Sequence, residues 1–247
     1  MKKDIGSDKY IHVFEHLKEL RKRVIISSII FVIFVIISFI IHDYIASLFI
    51  KFFSSVPSNG ENKLFINSIV EGITTKIKVS LITGLILSLP IHLYNIVAFI
   101  FPALEIKEKR YLIGALVSSF ILVVLSAYLS YFKILPVSIK FLTMGGFVPS
   151  DVGLLLNYNK NLFYALYFVF CSILAFQSPI ILVLLMAFNI LKRKTAIKIS
   201  RYIIVSIFII SAIVTPPDVI SQVGLALPLV VLYFVAIFVA KIFKFGE

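Results

Sequence analysis

Six long apolar segments constrain the fold of this chain more than any other feature. Hydrophobic residues make up 60% of its 247 residues, and charged residues make up only 15%. About twenty consecutive apolar residues form a helix long enough to cross the roughly 30 Å hydrocarbon core of a bilayer. The candidate spans are residues 24–41, 79–101, 111–132, 162–190, 203–214 and 219–240. The sequence therefore predicts an all-α polytopic membrane protein with six transmembrane helices, folded as a single membrane domain over residues 1–247.

The last two candidate spans are separated by Thr215-Pro216-Pro217-Asp218. Two successive prolines remove two backbone donors and disfavour the helical conformation at Thr215, so the chain should reverse direction there. At about 1.5 Å per residue the apolar segment before this turn is only about 18 Å long, so we predict that the turn lies below the membrane surface. Asp218 is placed to cap the last helix, and a carboxylate at that depth also indicates a functional role.

Two prolines within the candidate spans predict bends. Residues 162–190 are too many for a perpendicular span. This segment should tilt, kink near Pro179 or continue as a helix beyond the membrane. Pro90 should kink the second span.

Lys and Arg are distributed unequally between the two sets of connections. The N-terminal tail, the short loops at residues 102–110 and 191–202 and the C-terminal tail hold 17 of the 24, whereas the longer loops at 43–78 and 133–161 hold 7. The positive-inside rule then places both termini in the cytoplasm. The predicted parts are a cytoplasmic N-terminal segment at 1–23, a six-span region at 24–240 and a cytoplasmic tail at 241–247. The net charge of +12 follows from this orientation and does not indicate nucleic-acid binding.

Several other classes of function are not supported by the sequence. The four histidines lack the spacing of a metal site, and the single cysteine, Cys171, cannot form a disulfide within the chain. The sequence has no nucleotide-binding loop, no G-x-S-x-G elbow and no H-E-x-x-H motif. We therefore predict no catalytic residues, no metal and no cofactor.

Carboxylates on the basic cytoplasmic side are few, which makes them candidate binding groups. Glu15 and Glu19 would share one face of a helix that runs from about Tyr10 into the first span. Glu105 and Glu108 lie in the next cytoplasmic loop. A carboxylate matches the planar guanidinium group through two parallel hydrogen bonds. The spacing alone favours a simpler alternative, in which Glu19 pairs with Arg23 and Glu105 pairs with Lys109 as helix i, i+4 partners.

Four motifs occur in an order that is typical of one family. They are HLKELRKR at residues 16–23, AFIFPALEIKEKR at 98–110, FQSP at 176–179 and TPPDVISQ at 215–222. Together with the six-span pattern, they resemble TatC, the polytopic subunit of the twin-arginine protein translocase. The resemblance implies a concave, cup-like bundle with short fifth and sixth helices.

The resemblance implies a receptor rather than an enzyme. Members of the family recognise the paired arginines of an export signal peptide at the cytoplasmic face. They assemble with single-span TatA-type and TatB-type subunits in the bilayer of the cytoplasmic membrane, as a homo-oligomer within the hetero-complex. The complex exports folded proteins and draws its energy from the proton gradient.

Five residues of this chain match the family's signal-binding motifs. By position, the two arginine-binding carboxylates are Glu19 and Glu108. Leu20, Arg21 and Phe99 would shape the same patch. For Phe99, ordinary packing at the membrane interface is an equally good interpretation.

A second candidate site lies within the membrane. By resemblance, Gln177 occupies the polar position of the fourth span, and Thr215, Asp218 and Gln222 cluster at the last hairpin, where a partner helix would dock. Many relatives have Glu in place of Gln177 and an acid in place of Phe234, so we expect a neutral polar contact and not a proton relay. The alternatives are that Gln177 joins helices within the chain and that Asp218 is simply a helix cap.

A proton- or ion-coupled transporter of small solutes is the alternative function. Such a protein would also show six spans, helix-breaking prolines and a buried acid. The sequence shows no inverted pair of broken segments, and Asp218 is the only acid beside a polar interruption of a span. The family pattern therefore predicts a translocase.

Overall fold

The computed structural model describes residues 5–53, 64–101, 106–144, 155–215 and 218–246, without the side chains of residues 5–16, 106, 107 and 144. The described part of the chain is almost entirely helical. Its α-helices are α1 (Ile5–Ile40), α2 (His42–Ile50), α3 (Ile69–Ile100), α4 (Ile106–Leu129), α5 (Leu135–Met144), α6 (Tyr158–Ala175), α7 (Ser178–Ala187), α8 (Arg193–Val214) and α9 (Val219–Ile242). A π-helical turn, Ser130–Ile134, joins α4 to α5 without a break.

Six helical segments are long and apolar enough to cross a membrane, which confirms the predicted all-α fold with six spans. They are Leu17–Ile40, Ile69–Ile100, Glu108–Thr143, Tyr158–Ala187, Arg193–Val214 and Val219–Ile242. The fifth and sixth, of 22 and 24 residues, are shorter than the three spans before them, which have 32, 36 and 30 residues.

All four predicted connections are partly wrong, because helix continues into each of them. Most of helix α2 and the start of α3 lie within residues 43–78, and α4 begins within residues 102–110. The loop expected at residues 191–202 is helical from Arg193 onward, and the loop expected at 133–161 is helical as far as Met144. Lys and Arg are good helix formers, so the basic residues that lower the hydropathy of a segment do not end its helix. The depth of the turn at Thr215 stays a prediction.

The six spans alternate in direction, so the bundle has two ends. At the N-terminal end α1, α4 and α8 begin, and α3, α7 and α9 finish. The opposite end carries α2 and the turn between α8 and α9. A backbone hydrogen bond of 2.8 Å from Arg193 N to the Gly246 oxygen joins the start of α8 to the end of the described chain.

Three of the helices that start at the opposite end have a side-chain cap, whereas α2 has none. Ser68, Asn157 and Asp218 accept a hydrogen bond from the backbone N–H three residues later, at the starts of α3, α6 and α9. Each cap pairs one of the backbone donors that a helix start leaves free. The prediction that Asp218 caps the last helix is confirmed, and Thr215 is extended, with φ −88° and ψ 160°, as a residue before proline should be.

The fourth span is interrupted near its middle. α6 ends at Ala175, and α7 starts at Ser178 with Pro179 in its first turn. Pro179 has no backbone N–H to donate, which is tolerated only in the first turn of a helix. The predicted kink near Pro179 is therefore confirmed. Pro90, in contrast, lies within the continuous helix α3.

α1 packs along α3 at short range. A Cβ atom on Gly84 of α3 would lie 2.6 Å from Val35 Cγ2 and 3.0 Å from Val35 N. Asn95 Nδ2 donates a 2.8 Å hydrogen bond to Ser27 Oγ, nearer the N-terminal end. Polar contacts of this kind and small residues hold helices together in a membrane, where hydrophobicity cannot.

The buried side chains form two separate cores. The larger core draws on α2, α3, the third span, α6 and α9, and includes Phe49, Leu135, Phe168, Phe176 and Leu225. The smaller core lies at the N-terminal end and consists of Met186, Ala196, Tyr233, Ile237, Ala240 and Phe245. Tyr233 also donates a 2.7 Å hydrogen bond to the Ala196 oxygen, which joins α9 to α8.

Two segments are tied together at the opposite end. Phe65 forms an isolated parallel bridge with Asn157 just before α6. Glu71 reinforces it, because its Oε1 accepts from Asn157 Nδ2 at 2.8 Å and its Oε2 accepts from Asn67 N at 2.6 Å. The chain before α3 is thereby attached to the start of α6.

A buried histidine lies at the same end. His42 Nε2 is 3.1 Å from the hydroxyl oxygen of Tyr158 and links α2 to α6. Burial lowers the pKa of His42 below its ordinary value; the nearby charge of Asp43 opposes the shift, and that of Lys76 adds to it. The shift favours the neutral imidazole over the charged one.

Candidate functional site

Glu19 lies on α1 near the start of the first span, five residues before the exposed apolar run that begins at Val24. Its Oε1 accepts two hydrogen bonds from Arg23, one from Nε at 3.0 Å and one from Nη2 at 2.6 Å. The i, i+4 ion pair expected from the spacing is therefore confirmed. Both Arg23 bonds go to a single oxygen, so this pair uses only one of the two oxygens that a bidentate guanidinium contact requires.

Glu108 lies in the first turn of α4 and is half-buried. Glu105, which the sequence pairs with Lys109, lies outside the described residues. Lys109 Nζ lies 5.2 Å from the centre of the Phe101 ring, in a cation–π contact. Phe99 is half-buried and lies one residue before the end of α3.

The helix order puts the five predicted signal-binding residues at one end of the bundle. Leu20 and Arg21 are exposed beside Glu19 near the start of the first span. Phe99 ends the second span and Glu108 begins the third, at the same N-terminal end. The hydrogen bond between α1 and α3 at Asn95 lies within three turns of that end. The side chain of Glu15 lies outside the described residues.

Gln177 lies in the break between α6 and α7 and is 8% exposed. Its Oε1 accepts a hydrogen bond of 2.5 Å from Ser119 Oγ on α4. Gln177 therefore joins two helices within the chain, which is the alternative role that the sequence predicts for this residue. Its Nε2 has no hydrogen-bond partner in the described part of the chain, which leaves a buried donor that a further acceptor would satisfy.

Asp218 is the centre of a buried polar cluster at the opposite end. It is 5% exposed, and its Oδ1 accepts from the backbone N of Ser221 at 2.7 Å. Its Oδ2 accepts from Ser221 Oγ and, at 3.3 Å, from Ser138 Oγ on α5. The Ser138 hydroxyl is also 3.3 Å from the hydroxyl of Tyr164 on α6. The carboxylate therefore ties the last hairpin to the third span directly, and Ser138 extends the cluster to Tyr164 on the fourth span.

The other two polar residues of the hairpin are bonded to α8. Thr215 Oγ1 donates to the Ser211 oxygen at 2.8 Å, and Gln222 Nε2 donates to the Phe208 oxygen at 3.1 Å. Thr215 is 6% exposed, whereas Gln222 is half-buried. Thr215, Asp218 and Gln222 are thus brought to one turn, and Gln177 lies apart from them in the fourth span.

Three partners of these residues are missing from the predicted set. Ser119 contacts Gln177, and Ser138 and Tyr164 complete the cluster around Asp218. Each lies in an apolar helix. A single hydroxyl group is common in such helices and forms no recognisable sequence motif. A search for polar residues at the same expected depth in neighbouring spans is the one sequence signal that would have suggested them.

The described residues contain no group of three or more His, Cys, Asp or Glu side chains placed to hold a metal ion. Cys171 is a free, half-buried thiol on α6.

Comparison with known proteins identifies the family. The family model for TatC, the Sec-independent protein translocase protein, matches residues 15–228. The chain is 34% identical to the Sec-independent protein translocase protein TatC of Carboxydothermus hydrogenoformans, over 96% of each chain. It is 36% identical to that of Aquifex aeolicus, over 92% of this chain and 94% of the relative.

Solved structures agree with the sequence comparison. The crystal structure of the twin-arginine translocase receptor TatC in the detergent DDM superposes with a TM-score of 0.78, at 34% identity, over 94% of this chain and 99% of the other. A second crystal structure of the twin-arginine translocase receptor TatC superposes with a TM-score of 0.75 at 35% identity. Family and fold both indicate a component of a protein translocase, and not a transporter of small solutes. The chain belongs to the TatC family of Sec-independent protein translocase proteins.

Proposed function

We propose that this protein is the receptor for twin-arginine signal peptides and the core subunit of a translocase that exports folded proteins. Glu19 and Glu108 would each bind one guanidinium group of the signal, and Leu20, Arg21 and Phe99 would border the patch. The observation that carries the proposal is that residues matching the TatC signal-binding motifs come from three helices that share the N-terminal end of the bundle.

The charge around the two carboxylates supports this assignment. The neighbours of the two carboxylates in the sequence are basic, namely Arg21, Lys22, Lys109 and Arg110. The patch is therefore basic overall and would repel most cations. An arginine pair compensates for that repulsion with two bidentate contacts, whereas a lysine pair brings the same charge without the planar fork. The arrangement therefore favours arginine over lysine.

The ion pair with Arg23 does not prevent Glu19 from binding a ligand. The Arg23 and Glu19 side chains are 25% and 32% exposed, and an exposed pair of this type contributes about 0–1 kcal/mol. A charge-assisted hydrogen bond to a ligand contributes about 1.5–3 kcal/mol. A signal-peptide arginine can therefore displace Arg23 or share the carboxylate with it.

The proposal predicts that Glu19→Gln and Glu108→Gln each weaken the binding of a twin-arginine peptide. Losing one charge-assisted contact should reduce the affinity about tenfold to a hundredfold, with solvent exposure favouring the lower figure. Binding of a fluorescent signal peptide to the purified protein in nanodiscs would measure the effect. A peptide with two lysines in place of the arginines should bind the unaltered protein about as weakly as the twin-arginine peptide binds the double variant.

Glu15→Gln is the matched control, since it removes the same charge one turn earlier on α1. It should bind the peptide like the unaltered protein. Equal affinity of the double variant Glu19→Gln/Glu108→Gln and the unaltered protein would exclude the proposed site. If Glu15→Gln weakened peptide binding equally, the overall loss of negative charge, and not a specific site, would explain the effect.

Gln177, Thr215, Asp218 and Gln222 are proposed contacts for the single-span TatA-type and TatB-type subunits. The unpaired Nε2 of Gln177 supports this role, because a helix carrying an acceptor would satisfy a donor that is costly to leave free in a membrane. At the hairpin, the Gln222 side chain is half-buried and bonded to a backbone oxygen that an incoming polar group could replace.

We also propose that the complex lies in the cytoplasmic membrane, with both termini in the cytoplasm, as a homo-oligomer within the hetero-complex. The basic residues of the N-terminal end support this orientation. The proton gradient would supply the energy, in keeping with the absence of a nucleotide-binding loop from the sequence. Export into inverted vesicles should then stop when a protonophore collapses the gradient, and continued export without a gradient would contradict this part of the proposal.

A further inference from the structure

A groove of about 460 Å³ lies between α4, α7 and α9. This volume is within the range of roughly 300–1,000 Å³ that is typical of ligand sites in proteins. Its walls are almost wholly apolar and include Leu122, Pro179, Val183 and Val235. The side chains of these three helices do not fill the space between them.

One charged residue lies at the mouth of this groove. Arg110 lines it at the N-terminal end of the bundle, is solvent-exposed, and makes no ion pair within the described part of the chain. Three aromatic rings border the same mouth, and those of Tyr111 and Phe245 make an edge-to-face contact with centroids 4.6 Å apart. A cation above a wall of aromatic and aliphatic side chains is suited to a ligand with an anionic head and an apolar tail.

The length of the groove matches one leaflet of a bilayer. Its wall on α4 runs from Arg110 to Leu122, which is about 18 Å at roughly 1.5 Å per residue. Half of a hydrocarbon core that is roughly 30 Å thick measures about 15 Å. The deep end is lined by Pro179, at the interruption of the fourth span. The groove therefore reaches from a charged interface to about the middle of the membrane.

An absent side chain keeps the groove open. Gly114 lies on the α4 wall, and a Cβ atom added there would have no heavy atom within 4 Å. Its neighbours along that wall, Ala115 and Ser118, are also small. Since a Cβ atom meets no neighbour at position 114, a larger side chain there offers a way to fill the groove.

We propose that this groove binds an anionic phospholipid of the leaflet at the N-terminal end, with the phosphate on Arg110 and an acyl chain along α4, α7 and α9. The charge at the mouth selects this occupant. Arg110 attracts a lipid phosphate through charge-assisted hydrogen bonds, and the apolar walls below it suit an acyl chain. The inference does not depend on Glu19 or Glu108, and its lipid measurements use no signal peptide.

The test uses the full-length protein in nanodiscs made of equal parts of phosphatidylcholine and phosphatidylglycerol. After extraction in mild detergent, native mass spectrometry counts the lipids that stay bound to each protein molecule. The unaltered protein should retain phosphatidylglycerol in preference to phosphatidylcholine. Arg110→Gln should lower that preference about fivefold, the effect expected of one basic residue at an anionic surface. Gly114→Phe should reduce the retention of both lipids.

Two matched variants control for general effects. Arg201→Gln removes an exposed charge from α8 outside the groove, and Gly72→Phe places the same ring where a Cβ atom also meets nothing within 4 Å. Both should retain lipid like the unaltered protein. A melting temperature measured in detergent shows whether Gly114→Phe is folded; if it is not, Gly114→Leu replaces it.

Three outcomes would overturn the proposal. The first is an unchanged preference for phosphatidylglycerol in Arg110→Gln. The second is unchanged lipid retention in a folded variant that fills position 114. The third is capture of a signal peptide or a single-span subunit, and no lipid, by a photoreactive amino acid at position 114 in the assembled complex.

Discussion

Individual polar residues in this bundle differ in how completely the chain itself satisfies them. Asp218 has hydrogen-bond partners on both carboxylate oxygens, whereas Gln177 has a partner for its oxygen and none for its nitrogen in the described part of the chain. A buried polar group with no partner costs roughly 1–3 kcal/mol. Of the proposed partner contacts, Gln177 therefore has a free donor to offer another molecule, whereas Asp218 is already satisfied within the chain and a partner would have to share it.

Replacing Gln177 should weaken assembly more than folding. Gln177→Leu removes the unpaired donor and also the acceptor of the Ser119 hydroxyl, which can bond instead to a carbonyl oxygen one turn back on its own helix. The melting temperature in detergent should therefore change little. Polar contacts between membrane helices contribute about 0.6–1.7 kcal/mol, so the amount of single-span subunit that co-purifies should drop about threefold to twentyfold.

Ser206→Ala is the control for this measurement. The Ser206 hydroxyl bonds only to the Tyr202 oxygen of its own helix and is exposed on α8, so its loss should not change co-purification. If Gln177→Leu co-purified as much single-span subunit as the unaltered protein, the amide would serve only the contact with Ser119.

The sequence predicted residue positions well where a local rule applies. Asp218 caps α9 and Glu19 pairs with Arg23 because both interactions depend on spacings of three or four residues along a helix. The Ser138 and Tyr164 contacts to the Asp218 cluster join residues that are dozens of positions apart. Such contacts depend on how the helices pack, which no single-sequence pattern specifies.

At the scale of the helices, the contact between α1 and α3 depends on one small residue. Any side chain at Gly84 would press on both the side chain and the backbone of Val35, so α1 would have to move away. The membrane-spanning part of α1 has few buried side chains, because only 6% of its most apolar 18-residue stretch is buried. The approach at Gly84 is therefore a main attachment of the first span.

Gly84→Ala should destabilise the protein although alanine is the better helix former. Overpacking of this kind costs about 1–3 kcal/mol, which exceeds the gain of about 1 kcal/mol from helix propensity. Thermal unfolding in detergent would measure the change. Gly72→Ala is the matched control on the same helix, because a Cβ atom there meets nothing within 4 Å, and it should not lower the melting temperature. Equal stability of the two variants would contradict the close contact.

The number of helical spans was predictable, but their ends were not. Hydropathy locates the apolar part of a span, which is why six were found. It does not detect polar turns that continue the same helix, as at Arg193 on α8 or between Phe132 and Met144 on the third span. The interruption at Pro179 was predictable because proline acts on its own backbone.

For the whole molecule, the proposed orientation is open to a direct test. Lys194 is exposed at the start of α8, and Lys160 is exposed at the start of α6, at the other end of the bundle. In a Cys171→Ser background, Lys160→Cys should react with a membrane-impermeant maleimide in intact cells. Lys194→Cys should react only after the membrane is permeabilised. The reverse pattern of labelling would invert the proposed topology.

The interruption of the fourth span has a mechanical consequence. Among the buried residues of the described part of the chain, α9 and the fourth span supply members of both cores, and each carries a proline, Pro228 inside α9 and Pro179 at the start of α7. The two prolines donate no backbone hydrogen bond, so bending the molecule at these positions breaks few hydrogen bonds. A force applied at the N-terminal end, where we propose that signal peptides bind, would therefore bend the molecule at these joints and leave the larger core intact.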